Sequence, residues 1–591
     1  MKKIRILFIA LLVFLLAACG KGGEGDAKWK AGTYTATAKG ANGDVTVEVV
    51  LSKTKIESVK VIEHSETPGV SDGAIEKIPQ EIVDTQGLGV ETVSGATYTS
   101  KAIIEAVTLA LKQAGADIDA LKQIKQKTAT NDDIETEYDV IVIGGGGAGL
   151  TAAVSAAENG AKVVVLEKTS AVGGNTALSG GEMAAPGNWL QKEQGIEDSA
   201  DLLYEDMLKG GDNENDPSLV RVIADNALDG ATWLRDDVGV EWEDYMLFFG
   251  GHSVERSLVP KGATGSEIVK KLEAKCKELG VTILTNTKAT ALIANGDDKD
   301  RINAVEAERN NEKIVFTAKH GVVLATGGFG SNIEMRKKYN PEMDESILST
   351  TAPSITGDGI VMAEKIGAQL VDMQYIQTYP TCDPETGRLL YVGDVRLDGR
   401  AILVNKEGKR FVEELDRRDV ISKAITETSD GYGYLFWDQA AMDASGVDKT
   451  HKEEYEGLLN RGILVKADTI EEAAKHFGID AETLKQTVEK YNEYCKNGKD
   501  LEFNKRGELI PFTTAPYYIM KCIPAVHHTM GGVKINTEAQ VLDTNGNPIK
   551  GLYAAGEVTG DIHGTNRLGS CAIADIVVFG RIAGENAAKF E

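Results

Sequence analysis

The chain has 591 residues, with 90 Asp and Glu against 64 Lys and Arg and a formal net charge of -26. At that length a single hydrophobic core stops growing, so three or more lobes are expected. The acidic balance leaves no positive field to gather phosphates, which excludes nucleic acid as a partner and leaves anion binding to local Arg and His sites.

Lys2, Lys3 and Arg5 stand ahead of an apolar run at residues 6–18. Such a run is too short to span a bilayer and suits the hydrophobic region of a signal peptide. It ends in Leu16-Ala17-Ala18-Cys19-Gly20, which resembles a bacterial lipobox. Residues 1–19 are therefore expected to be a lipoprotein signal peptide with Cys19 lipidated, and the Gly-rich, charged residues 20–30 a tether. The protein would then be lipid-anchored on the extracytoplasmic face of the cell membrane. An ordinary signal peptide followed by a coincidental cysteine is the alternative.

Residues 31–115 read as a small α+β domain. Residues 32–38, 45–51 and 55–62 alternate or run β-branched, Asn42-Gly43-Asp44 is a turn, and residues 100–112 form an apolar-periodic helix. Just before that helix stands Ser94-Gly95-Ala96-Thr97-Tyr98-Thr99, which resembles the acceptor motif of FMN-binding domains flavinylated through a phosphoester. The resemblance implies covalent FMN on Thr99 and a flavin transferase as partner. A phosphate there would meet the free N–H groups of a helix start. The competing reading makes Ser94, Thr97 and Thr99 simple N-caps. Residues 116–136, polar and charged, form a linker.

A β-branched strand at 138–143 runs straight into Gly144-Gly145-Gly146-Gly147-Ala148-Gly149. Gly144, Gly146 and Gly149 fit GxGxxG between that strand and a helix at 150–159. A second strand at 162–166 leads to Glu167, where an acid meets a ribose 2'-hydroxyl while the pyrophosphate sits on the helix N-terminus. Two further buried strands end in glycines, at 321–329 and 551–557. A flavin draws backbone contacts from several such turns, which favours FAD over a nicotinamide. Near the C-terminus, His527-His528-Thr529-Met530-Gly531-Gly532 and Asn566-Arg567-Leu568-Gly569 supply imidazoles and a guanidinium, a donor set suited to a carboxylate.

The ordered set GGGGAG, Glu167-Lys168, Gly173-Gly174-Asn175-Thr176, ATGGFG, HHTMGG, Gly556-Glu557 and NRLGS resembles the soluble fumarate reductase and flavocytochrome c family, from about residue 139 to the C-terminus. The resemblance implies an α/β fold. A Rossmann-like FAD-binding domain (137–375 and 519–591) would be split by an inserted α+β clamp domain (376–518), with substrate bound between them. FAD would be held non-covalently by Gly144, Gly146, Ala148, Gly149, Glu167, Lys168, Gly174, Asn175, Thr176, Gly180, Gly181, Gly327, His528, Gly556, Glu557, Ser570 and Ile573. The resemblance also implies hydride transfer from FAD N5 to the β-carbon of an enoate, and clamping of the substrate carboxylate by His527 and Arg567. Arg418 would protonate the α-carbon, with Arg417 as the neighbour that could be mistaken for it. Asp394 and Arg396, or Arg400 in place of Arg396, would relay the proton.

The five cysteines other than Cys19 are scattered, with no CxxC or CxxCH, so neither a metal site nor a c-type haem is expected. This departs from flavocytochrome c. The FMN module would bring electrons instead, from a membrane donor.

A second departure bears on substrate. Where fumarate reductases carry a His and a Thr-Glu pair for the second carboxylate, this chain has Tyr379 and Asp394. An acceptor and an anion suit a distal group that donates hydrogen bonds. This pattern resembles the urocanate-reducing members of the family, with Phe249 placed to stack on an imidazole. The expected function is an extracytoplasmic urocanate-type enoate reductase of anaerobic respiration. Reduction of fumarate, acrylate or a cinnamate is the second reading, and a non-enzymatic flavin electron-transfer lipoprotein the third.

Overall fold

The computed structural model of the chain describes residues 28–40, 43–66, 71–93, 96–124, 131, 134–294, 300–397 and 399–590. Cys19 and the signal peptide lie outside the described residues, as do Ser94 and Gly95 of the acceptor motif and most of the linker.

The N-terminal module is an antiparallel sheet of Gly32–Lys39, Asp44–Leu51 and Ile56–Glu63 in sequence order. Val45, Val47 and Val49 are buried in alternation along the middle strand, the period a one-sided sheet requires. They share a core with helices Asp72–Thr85 and Thr97–Gln113. The first of these helices has no counterpart in the sequence reading, and it accommodates Pro79 in its interior. The second starts at Thr97, three residues earlier than the apolar period predicts, so Thr99 lies within its first turn.

The FAD-binding domain is built on a sheet in which Thr282–Leu284, Val163–Leu166, Glu137–Ile143, Glu312–Leu324 and Pro548–Ala554 run parallel. Its central strand is buried on both faces, which explains the unbroken β-branched run. Helices Gly147–Glu158 and Cys571–Lys589 cross on one face. Their approach depends on Gly580 and Gly584, since a Cβ at Gly584 would stand 2.2 Å from the Ala152 carbonyl oxygen.

In the clamp, the strands Ile376–Cys382, Tyr517–Thr529, Gly433–Asp438 and Ile402–Val404 lie side by side, and Leu464–Ala467 also pairs with Tyr517–Thr529. The boundary expected at 518 therefore needs correction. It cuts through one continuous strand, whose first half pairs with Gly433–Asp438 and whose second half pairs with Ile376–Cys382. The strand runs on through Pro524, so the clamp sheet continues to Thr529. No described helix is long and apolar enough to cross a membrane.

Candidate active site

Between the clamp and the FAD-binding domain lies a continuous cavity that runs from the glycine turn to the clamp residues Tyr379, Asp394 and Arg418. At one end the helix Gly147–Glu158 begins directly on the glycine run, with Gly146 as its extended N-cap. Gly144 has φ +105°, a left-handed conformation that glycine adopts without strain. Glu167 accepts the Gly145 N–H at 2.7 Å and the Thr169 N–H at 2.8 Å, and Lys168 pairs with Asp358 at 2.8 Å. Asn175 donates to Glu557 at 3.0 Å, tying the second glycine segment to the third. Gly144, Gly146, Ala148, Glu167, Lys168, Gly174, Asn175, Thr176, Gly180, Gly327, His528, Glu557, Ser570 and Ile573 all line this space.

Three expected cofactor residues do not. A Cβ at Gly149 would lie 1.9 Å from the Gly144 carbonyl oxygen, one at Gly181 2.6 Å from Gly265 Cα, and one at Gly556 2.8 Å from Ala148 Cβ. These glycines let backbones pack behind the wall and are corrected from cofactor contacts to supports of the cavity. The helix N-terminus, the bare glycine backbone and the acid at the second strand fit a flavin dinucleotide.

At the other end the cavity is lined by Phe249, Tyr379, Asp394, Arg418, His527 and Arg567. His527 and His528 are adjacent on the strand Tyr517–Thr529 and so point to opposite faces. His527 Nδ1 lies 2.8 Å from Thr350 Oγ1, with its ring 5.1 Å from that of Tyr379. His528 Nδ1 lies 3.9 Å from Glu557. Desolvation, then Arg418 and Arg567, holds His527 well below the ordinary histidine range, so it is neutral at pH 7. Arg418 opens the helix Arg418–Thr426, with its guanidinium over the rings of Tyr379 (4.7 Å) and Phe249 (5.5 Å). Arg417 instead is engaged in ion pairs with Asp212 and Asp419.

Arg567 is buried, and its Nε has no hydrogen-bond partner among the described residues. Burial and then Arg418 push it down to about 9. A buried guanidinium lowered by its own desolvation and by a second guanidinium suits the binding of an anion.

The Tyr379 hydroxyl donates to Asp394 at 3.2 Å. Asp394 is carried by the short helix Tyr391–Arg396 and is held well above the ordinary carboxylate range by desolvation, then by Glu182. Arg396 does not line the cavity. It is buried, and its Nη1 donates to the Glu414 carbonyl at 2.5 Å, behind Asp394. Its charge acts on Arg418 and Tyr379, which distinguishes it from Arg400.

Sequence reasoning missed three features. Glu182 lines the cavity, is raised by desolvation and is opposed by the charges of Arg418 and Arg567. The available signal was an acid directly after Gly180-Gly181 in an otherwise apolar stretch. Arg410 holds Glu414 through two bonds of 2.8 Å and reaches Asp500 at 2.9 Å, buttressing the segment that holds Arg396. His252 and Arg256 join Asp206 and Asp198 behind Phe249, and His252 Nε2 lies 2.9 Å from the Gly569 carbonyl of the NRLGS segment. These last two networks join residues far apart in sequence, and no spacing announces them.

Comparison with known proteins agrees with this geometry. The FAD binding domain family matches residues 139–573 and the FMN-binding domain family residues 40–112. The chain belongs to the fumarate reductase type of FAD-dependent oxidoreductases, which act on a carbon–carbon double bond, and carries an FMN-binding domain in addition. It is 50% identical over 573 residues to the urocanate reductase of Eggerthella lenta, covering 96% of this chain and 93% of that one. It is 40% identical over 455 residues to a cytochrome fumarate reductase of Shewanella frigidimarina, covering 76% and 77%. The open conformation of a flavocytochrome c3 fumarate reductase superposes with a TM-score of 0.64 at 37% identity, over 79% of this chain and 83% of that one.

Proposed function

We propose that the protein reduces the double bond of an enoate whose distal end donates hydrogen bonds, with urocanate as the preferred substrate and imidazole propionate as product. One observation carries this reading: the substrate end of the cavity sets Arg567, Arg418 and neutral His527 together with Asp394, Tyr379 and Glu182. The guanidiniums and the imidazole fit the carboxylate that every enoate shares. Asp394, Tyr379 and Glu182 add oxygen acceptors for a distal group that donates hydrogen bonds, which a second carboxylate does not supply.

The bound flavin supplies the hydride. The chain's own residues hold the carboxylate and deliver the proton. The Thr350 hydroxyl lies 2.8 Å from His527 Nδ1; in the tautomer that accepts from Thr350 the ring proton sits on Nε2 and serves the substrate carboxylate beside Arg567. Desolvation lowers the pKa of Arg418, so its guanidinium releases a proton to the α-carbon more readily than one in water. Asp394 and Arg396 stand behind Tyr379 as the route by which Arg418 recovers that proton. Phe249 forms an apolar wall beside the guanidinium and offers a stacking face to an imidazole.

The reading extends to cell biology through the sequence. FMN on Thr99, installed by a flavin transferase, would pass electrons from a membrane donor to FAD, and lipidated Cys19 would hold the protein on the extracytoplasmic face. Thr99 is buried and donates to the Glu66 carboxylate, so attachment there requires that bond to open.

Turnover with a reduced dye and a panel of urocanate, fumarate and cinnamate tests the substrate. A higher kcat/KM for urocanate supports the reading. Faster reduction of fumarate overturns it and leaves the enoate reductase class standing.

A further inference from the structure

We propose that Glu454 is a positioning residue: from the first turn of the helix Lys452–Arg461 it holds the short helix Tyr391–Arg396, and with it Asp394, at the substrate end of the cavity. Its carboxylate accepts the Val392 N–H at 2.7 Å and also bonds the backbone of Tyr391. His451, the N-cap of the same helix, stacks flat on the Tyr391 ring at 4.8 Å and 11°. The Tyr391 hydroxyl in turn donates at 2.6 Å to the carbonyl of Leu178, on the cavity wall of the FAD-binding domain. One helix end thus grips the turn by its backbone and by its ring, and the turn bridges clamp and FAD-binding domain through Tyr391, three residues before Asp394.

The charges around this contact connect Glu454 to the chemistry. Desolvation pushes Glu454 up to about 7, against its two backbone bonds, with Asp383 raising it and Arg388 lowering it. Glu454 therefore changes charge near neutral pH. Asp394 feels desolvation, then Glu182, with Arg396 opposing and Glu454 adding to the rise, while Tyr379 donates to it. Taking away the Glu454 charge lowers the pH at which Asp394 ionises, since a nearby anion disfavours a second one. A residue that only filled space would have no such reach.

The inference rests on the reading that Asp394 faces the substrate. The experiment uses the full-length, FAD-loaded protein with whichever enoate the wild type reduces best, and compares Glu454→Gln with Glu454→Ala. Gln keeps an acceptor for the Val392 N–H and removes the charge. We expect the limb of the kcat/KM profile nearest neutral pH to move to lower pH, with little change of kcat at the optimum. Ala removes the acceptor as well, and KM should rise about tenfold, more than kcat falls, as a buried backbone donor is left unpaired. Wild-type pH profiles and KM values in both variants would overturn the proposal. If Glu454→Ala loses FAD, the profile of Glu454→Gln decides alone. A wild type that prefers fumarate sinks the urocanate reading, yet the displaced limb is still read on fumarate, so the two failures are distinct.

Discussion

Arg418 and Arg567 line the same cavity, and the proposed mechanism gives them opposite duties. As the proposed acid Arg418 would act in the transition state, so Arg418→Ala should lower kcat by about a hundred- to ten-thousandfold with a small effect on KM. Arg567→Ala should mainly raise KM, because it removes a ground-state clamp. Arg417, paired with Asp212 and Asp419, should tolerate alanine. Near-normal turnover of Arg418→Ala beside an inactive Arg417→Ala would show that the acid is placed one residue off. In the same cavity, Asp394→Asn and Glu182→Gln should each erode the proposed preference for urocanate over fumarate. If Asp394 served only the proton route, its variant would slow all enoates alike, and kcat/KM across the panel separates the two outcomes.

Elements bring these side chains together through close backbone contacts and through one pH-sensitive joint. The helices Gly147–Glu158 and Cys571–Lys589 touch at Gly584, so Gly584→Ala should destabilise the FAD-binding domain by about 1–3 kcal/mol and weaken FAD retention, read by thermal melting and flavin absorbance. The joint is Asp372, beside the strand Leu370–Val371, which accepts the Asp561 N–H at 3.1 Å in a left-handed conformation with φ 58°. Burial, then Asp561, raises it from 3.8 to about 6, with Glu214 adding to the rise and Lys534 opposing it. Because the folded state binds this proton more tightly than the unfolded chain, the group adds stability as pH falls through about 6 and withdraws it as pH rises. Asp372→Asn, which also suits the positive φ, should raise the melting temperature at pH 8, with the gain shrinking below pH 6. A gain equal at pH 5 and pH 8 would rule out the ionisation argument.

At the scale of the molecule, the N-terminal module touches both sides of the catalytic unit. Ser170, two residues from the cavity-lining Lys168, donates to the Thr92 carbonyl at 3.2 Å, and Arg388 of the clamp lies 5.0 Å from the ring of Tyr98. Thr99, the proposed FMN acceptor, is therefore next to a residue in contact with the clamp. Thr99→Ala should abolish covalent FMN, seen by mass spectrometry of its peptide. It should leave FAD bound, and activity with dyes that reduce FAD directly should survive. FMN found on Thr97 instead would refute the attachment site. Cys19→Ala should shift the protein from the membrane to the soluble fraction, and an unchanged distribution would count against the lipid anchor.

The nucleotide half was legible because it is local: a strand, a glycine run, a helix and an acid follow one another within about thirty residues, and the backbone needs of that turn are written in its glycines. The His527-His528 pair and Arg567 are legible as a donor set suited to a carboxylate, but their separate roles and the choice of Arg418 come only through resemblance to a family, since nothing in their spacing brings them together. Only the tertiary structure decided the rest. It separated glycines that face the cavity from Gly149, Gly181 and Gly556 that pack behind it, carried the clamp strand on to Thr529, and distinguished Arg396 from Arg400. It also brought Glu182 of the FAD-binding domain to the Asp394 of the clamp, and set Glu454 beneath the turn that holds that aspartate. The physical reason is that charge and desolvation act through space over a few ångströms, whereas sequence patterns report only the periodicity and turn chemistry of neighbouring residues.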